Sequence, residues 1–126
     1  MSKLERDVVH SAEELLTALS SARQSLRDVE QSLGRALENV GRGDGVLNSM
    51  LDYGAGSTRE VVNRALQELE RRRHTLRLTI FALALSEGYT IGRLGRIFGF
   101  SRQLASRYAK ELGAPRPGES PRPRHN

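Results

Sequence analysis

The chain contains no cysteine and no tryptophan. Without thiols it can build no disulfide framework, no thiolate nucleophile and no cysteine-based metal site, a usage that suits a reducing compartment. Aromatic residues make up only 5% of the 126 positions, too little for a large globular core. All four prolines lie in the last stretch, GAPRPGESPRPRHN, so none interrupts a helical pattern before it. The longest uncharged run, 78–86, is far too short to span a bilayer. The opening residues MSKLERDVV carry no apolar signal-peptide region. These absences lead to the expectation of a soluble cytoplasmic protein, one domain or one small domain plus an arm.

Leu, Ala, Arg, Glu and Ser dominate what is present, a composition of helices rather than sheets. The net charge is +5, and its distribution is uneven. Residues 1–40 hold five Lys/Arg against seven Asp/Glu, residues 41–87 seven against six, and residues 88–126 eight against two. The positive excess therefore sits in the final third, where a phosphate-binding surface would concentrate it.

From Val8 the apolar positions run Val8, Ala12, Leu15, Leu19, Ala22, Leu26, Val29, Leu33, Ala36, Val40. The steps alternate four and three, which is coiled-coil spacing. Leu16 and Leu37 widen the stripe, so more than one helix is expected to pack on it. A helix of roughly 36 residues, about 54 Å long, cannot bury such a stripe alone. It needs a partner from this chain or from another.

The segment 41–56, GRGDGVLNSMLDYGAG, holds five glycines and marks the clearest boundary. Val46, Leu47, Met50 and Leu51 within it predict a short helical turn. GRGDG lacks the lysine and the preceding buried strand of a phosphate-cradling loop, which leaves a linker as the better reading. Ser57 and Glu60 form a capping-box signature for a second long helix. Val62, Leu66, Leu69, Leu76, Ile80 and Leu83 continue the heptad steps, and 76–85 is apolar nearly all round. That girth calls for cover from the following helices and from a second subunit. Leu15, Leu19, Leu26, Val29, Leu33, Leu76, Ile80 and Leu83 are the expected dimerisation and core positions.

Thr90 to Leu112, TIGRLGRIFGFSRQLASRYAKEL, reads as two short helices about a tight turn. Ile91, Leu94, Ile97 and Phe98 form one apolar face, Gly99 supplies a stop, and Ser101 stands as the next N-cap. The second helix turns Leu104, Ala105, Tyr108 and Leu112 inward. With Gly95, Gly99 and Ala105 at the small, turn and apolar positions, the segment resembles the helix-turn-helix of bacterial DNA-binding regulators. Ala105 departs from the β-branched residue usual in that family, which predicts thinner packing between the two helices.

Composition, heptad spacing and the resemblance together lead to the expectation of an all-α fold: long coiled-coil-like helices followed by a carboxy-terminal helix-turn-helix. The expected divisions are 1–57 as scaffold and linker, 58–113 as long helix plus DNA-binding unit, and 114–126 as a disordered basic tail. A helix fits the major groove and presents its first residues to base edges. Ser101, Arg102, Gln103, Ser106 and Arg107 are the candidate base contacts: arginine suits guanine, glutamine suits adenine, and serine is small and adaptable. Arg93, Arg96 and Lys110 are the candidate phosphate contacts.

No cofactor and no catalytic set is expected. His10, His74 and His125 are scattered, with no ligand partner one turn away, and read as solvated surface residues. The run Arg71-Arg72-Arg73 reads either as a phosphate clamp or, by preference, as a solvated helix face. The expectation is a homodimeric, nucleoid-associated transcriptional regulator acting on double-stranded DNA. Its rivals are a helical adaptor or anti-factor that docks proteins on the same segment, and a nucleoid-organising protein without sequence preference.

Overall fold

A computed structural model describes residues 1–55 and 58–113, and over these the chain is all-helical. The helices are α1 (Lys3–Gly41), α2 (Val46–Ala55), α3 (Thr58–Ser86), α4 (Ile91–Phe98) and α5 (Arg102–Glu111), with no strand among the described residues. None of these helices is long and apolar enough to cross a membrane. The Ser57 cap, His125 and the Pro/Arg tail lie outside the described residues. The chain forms two compact units, one from residues 1–12 with 74–113 and the other Glu13–Arg73. The glycine-rich segment thus falls inside the second unit, and the divisions fall within the two long helices.

α1 begins earlier than the apolar stripe implies, because Ser2 caps it. The Ser2 amide donates to Glu5 Oε1 at 3.0 Å, and the Glu5 amide donates to Ser2 Oγ at 3.1 Å. This reciprocal pair satisfies two free helix-end donors and holds the Glu5 carboxyl below its ordinary range. At the other end the chain leaves the helix through Gly43, at φ +100. There the Asp44 amide bonds the Asn39 carbonyl and the Gly43 amide bonds the Val40 carbonyl, the pattern of a left-handed helix stop. α2 is a ten-residue helix where the sequence predicted a single turn.

The inner seam of α1 differs from the expected one. The positions Val8, Leu15, Ala22, Val29 and Ala36 do turn inward, with Ala22 and Ala36 buried. Their companions are Ser11 and Ala18, both buried, and the half-buried Ser25 and Ser32. Leu19, Leu26 and Leu33 are one residue out of phase with that set and stay exposed, at 47%, 50% and 38%. They belong to no core among the described residues. Small side chains on the inner seam permit close helix approach and put the larger ones outside it. Leu76, Ile80 and Leu83 on α3 are half-buried.

Within the second unit α1 meets α3 through an ion pair between Glu14 and Arg72. Arg72 also holds Glu68 at 2.8 Å, Arg71 holds Glu68 at 2.7 Å, and Arg73 holds Glu70 at 3.0 Å. The hydrogen bonds from Arg71 and Arg72 draw the Glu68 carboxyl below its ordinary value, and Glu68 raises Arg72. Each arginine of the triple run therefore already faces a carboxylate. That is the arrangement of a paired helix surface rather than of a phosphate clamp.

In the first unit α4 and α5 cover the apolar end of α3. Phe81, Leu94, Ala105 and Tyr108 form the buried centre, with Leu78, Ala84, Leu85, Tyr89, Ile91, Phe98, Phe100, Leu104 and Leu112 packed round it. The few aromatic residues of the chain are concentrated here. Phe81 stacks on Tyr108 at 5.7 Å, Tyr108 on Phe100 at 5.1 Å, and Phe100 on Phe98 at 5.4 Å between ring centroids. Offset stacking of this kind adds to simple burial.

Candidate nucleic-acid interface

The pair α4 and α5 is positioned by short-range chemistry at each end. Thr90 is extended and its hydroxyl accepts from the Arg93 amide at 3.1 Å, which opens α4. Gly99, at φ +69, closes it: the Phe100 amide donates to the Gly95 carbonyl at 2.7 Å and the Gly99 amide to that of Arg96 at 3.3 Å. A side chain at residue 99 would strain that left-handed backbone. Ser101 then opens α5, accepting from the Leu104 amide at 3.2 Å. Residues 99–101 thus join the two helices, with Gly99 ending the first and Ser101 opening the second.

The contact between the helices is close rather than thin. Gly95 and Ala105 are both buried, and a β-carbon placed on Gly95 would lie 3.3 Å from the Ala105 β-carbon and 3.6 Å from the Phe100 carbonyl oxygen. The small side chain at Ala105 is matched by the missing one at Gly95, so the helices draw together to ordinary contact. Leu104, Ala105, Tyr108 and Leu112 face inward as the sequence implied, joined by the buried Ala109. Ile97 does not: it is 59% exposed, off the edge of the face formed by Ile91, Leu94, Gly95 and Phe98.

On the opposite side of α5, Arg102, Gln103, Ser106, Arg107 and Lys110 line one open face. All are exposed except Ser106, which is half-buried. Ser101 stands exposed at the head of the helix, its hydroxyl oxygen accepting the cap bond. Arg93 and Arg96 are exposed on α4, and the Arg93 guanidinium lies over the Tyr89 ring at 4.5 Å from its centroid. Among the described residues none of Arg93, Arg96, Arg102, Arg107 and Lys110 is ion-paired. The one carboxylate nearby in sequence, Glu111, is bonded to His74 Nε2 at 3.0 Å. The face is consequently polar, cationic and unneutralised, which favours an anionic partner.

Two side chains of α3 contribute that the sequence reading did not single out or placed differently. His74 is no free surface residue: its Nδ1 lies 3.3 Å from Tyr108 Oη while Nε2 engages Glu111, which ties α3 to α5. Arg77 sets its guanidinium 5.3 Å from the Phe100 ring centroid, beside the turn. A lone arginine within an apolar stretch was the available signal for it. No group of three His, Cys, Asp or Glu among the described residues could hold a metal ion.

No protein-family model, curated protein or solved structure matches this chain.

Proposed function

We propose that the chain is a dimeric, sequence-specific DNA-binding protein of helix-turn-helix type, a transcriptional regulator that reads the major groove with α5. The observation that carries this reading is the single open face shared by Arg102, Gln103, Ser106, Arg107 and Lys110. An α-helix fits the major groove, where each base pair presents its own pattern of donors and acceptors. Arg102 donates two bonds to a guanine edge, Gln103 exchanges a donor and an acceptor with adenine, and Ser101, Ser106 and Arg107 complete the readout. Lys110 at the far end, with Arg93 and Arg96 on α4, meets phosphates and fixes the register. The capped turn supports this role, because a helix held at both ends presents its side chains with little entropy left to lose.

One such unit makes few contacts. Joining two in a dimer raises the local concentration of the second and multiplies affinity by roughly 10² or more. A two-fold pair then prefers an inverted repeat, with half-site centres about 34 Å apart or a multiple of that.

Gel shifts over a panel of base substitutions test the assignment. Arg102→Ala flattens sequence preference at the guanine it reads, at a cost of about 1–3 kcal/mol. Lys110→Ala weakens all sequences alike and lowers the salt slope by about one. Equal losses on every sequence for Arg102→Ala would reject its role. Binding that is indifferent to salt would reject a phosphate-dominated contact altogether, since six phosphates imply a loss of about three decades between about 50 and 200 mM salt.

A further inference from the structure

The leucines that α1 leaves outside its inner seam have an order of their own. Leu16, Leu19, Leu26, Leu33 and Leu37 are all exposed, Leu16 at 67% and Leu37 at 58%. With Arg23 and Glu30 they run at steps of three and four without a break, a second heptad seam beside the first. Leu16, Leu19, Ala22, Leu26 and, from α3, Leu69 line a groove along this side of the unit. A soluble chain rarely leaves so long an apolar row uncovered.

The two charged members of the row say what covers it. In a parallel pair of such helices, Arg23 meets Arg23 and Glu30 meets Glu30 at the centre of the seam, and both meetings are repulsive. In an antiparallel pair centred near Asp28, Leu16 and Leu19 meet Val40 and Leu37 of the second copy. Arg23 then stands beside Glu30 of the second copy, about 4.5 Å away along the axis. The two-fold repeats that attraction. Neither Arg23 nor Glu30 has an ion-pair partner within the described residues of its own chain.

We infer that this outer leucine seam of α1 is the docking surface for a second copy of the chain, antiparallel and two-fold symmetric, with Arg23 and Glu30 setting orientation and register. The inference deepens the dimer of the proposed function and rests on that part alone. It stands or falls whether or not α5 binds DNA.

The test is sedimentation equilibrium with charge exchange. The wild-type chain is dimeric. Arg23→Glu and Glu30→Arg each place like charges together twice and weaken the dimer by roughly tenfold or more. The double variant Arg23→Glu/Glu30→Arg recovers it. Both positions of change are exposed, and circular dichroism checks that helicity is kept. Because the chain has no cysteine, introduced thiols report orientation unambiguously. Leu19→Cys/Leu37→Cys chains cross-link into covalent dimers, whereas Leu19→Cys alone does not. A monomeric wild type, which would leave the seam to a different protein, overturns the inference. So do single charge variants that dimerise unchanged, and so does efficient cross-linking of Leu19→Cys with itself.

Discussion

Alanine in place of each of three glycines in α4 and its turn has three different consequences. Gly92 is exposed, has an ordinary backbone and would put a β-carbon into open space. There alanine brings only its better helix propensity, up to about 1 kcal/mol, or about 4 °C in Tm. Gly99 also has open space for a β-carbon, but its φ of +69 makes the new side chain strained. The expected loss is about 1–2 kcal/mol. Gly95 combines a gain and a cost. Its propensity gain is opposed by a β-carbon 3.3 Å from that of Ala105, which is held in the buried cluster with Phe81 and Tyr108. Overpacking of this sort costs about 1–3 kcal/mol, so the net effect is destabilising. It also pushes α5 off α4, so DNA affinity falls in Gly95→Ala and not in Gly92→Ala. Urea titrations of the three variants should rank Gly92→Ala above the wild type and the other two below it. A destabilised Gly92→Ala, or a neutral Gly99→Ala, would refute the backbone geometry assigned to the turn.

Two further expectations follow from named contacts. Phe81 is fully buried between α3, α4 and α5, so Phe81→Ala should cost about 3–5 kcal/mol. It should abolish DNA binding through loss of the 74–113 packing, seen as an early unfolding step in circular dichroism. Glu68 is held below its ordinary value of 4.5 by Arg71 and Arg72, so its carboxylate favours the folded state at neutral pH. Relative to Glu68→Gln, the wild type should keep that advantage above the ordinary value and lose it as pH falls through the lowered one. A difference between the two chains that stays constant on acidification would contradict the pairing.

The parts of this structure legible in the sequence are those governed by neighbours along the chain. Thr90, Gly99 and Ser101 declare their roles because caps and left-handed stops depend on a few adjacent residues. The outward face of α5 is legible for the same reason: helical period places Gln103, Ser106, Arg107 and Lys110 together whatever else the chain does. The all-helical composition follows from residue usage. The seam of α1 is different. Hydropathy points to the leucine row, while the inward row also uses Ser11, Ala18, Ser25 and Ser32, whose advantage is small size and whose apolar signal is weak or absent. Ile97 fails in the same way, since periodicity gives a face but not its edge.

Contacts far apart in sequence are likewise silent. His74 finds Tyr108 and Glu111, and Glu14 finds Arg72, only once the helices are packed. The Gly95–Ala105 contact is intermediate. Both residues were visible as small, yet only their mutual approach shows that one compensates for the other.

The central claim is that α5 reads base sequence on duplex DNA, and selection of bound fragments from a random double-stranded pool by the purified wild-type protein tests it most directly. The expected result is enrichment of one inverted repeat, with half-site centres about 34 Å apart or a multiple of that, and loss of its defining guanine when Arg102→Ala is used instead. Recovery of fragments with no common motif, or of none above background, would contradict it.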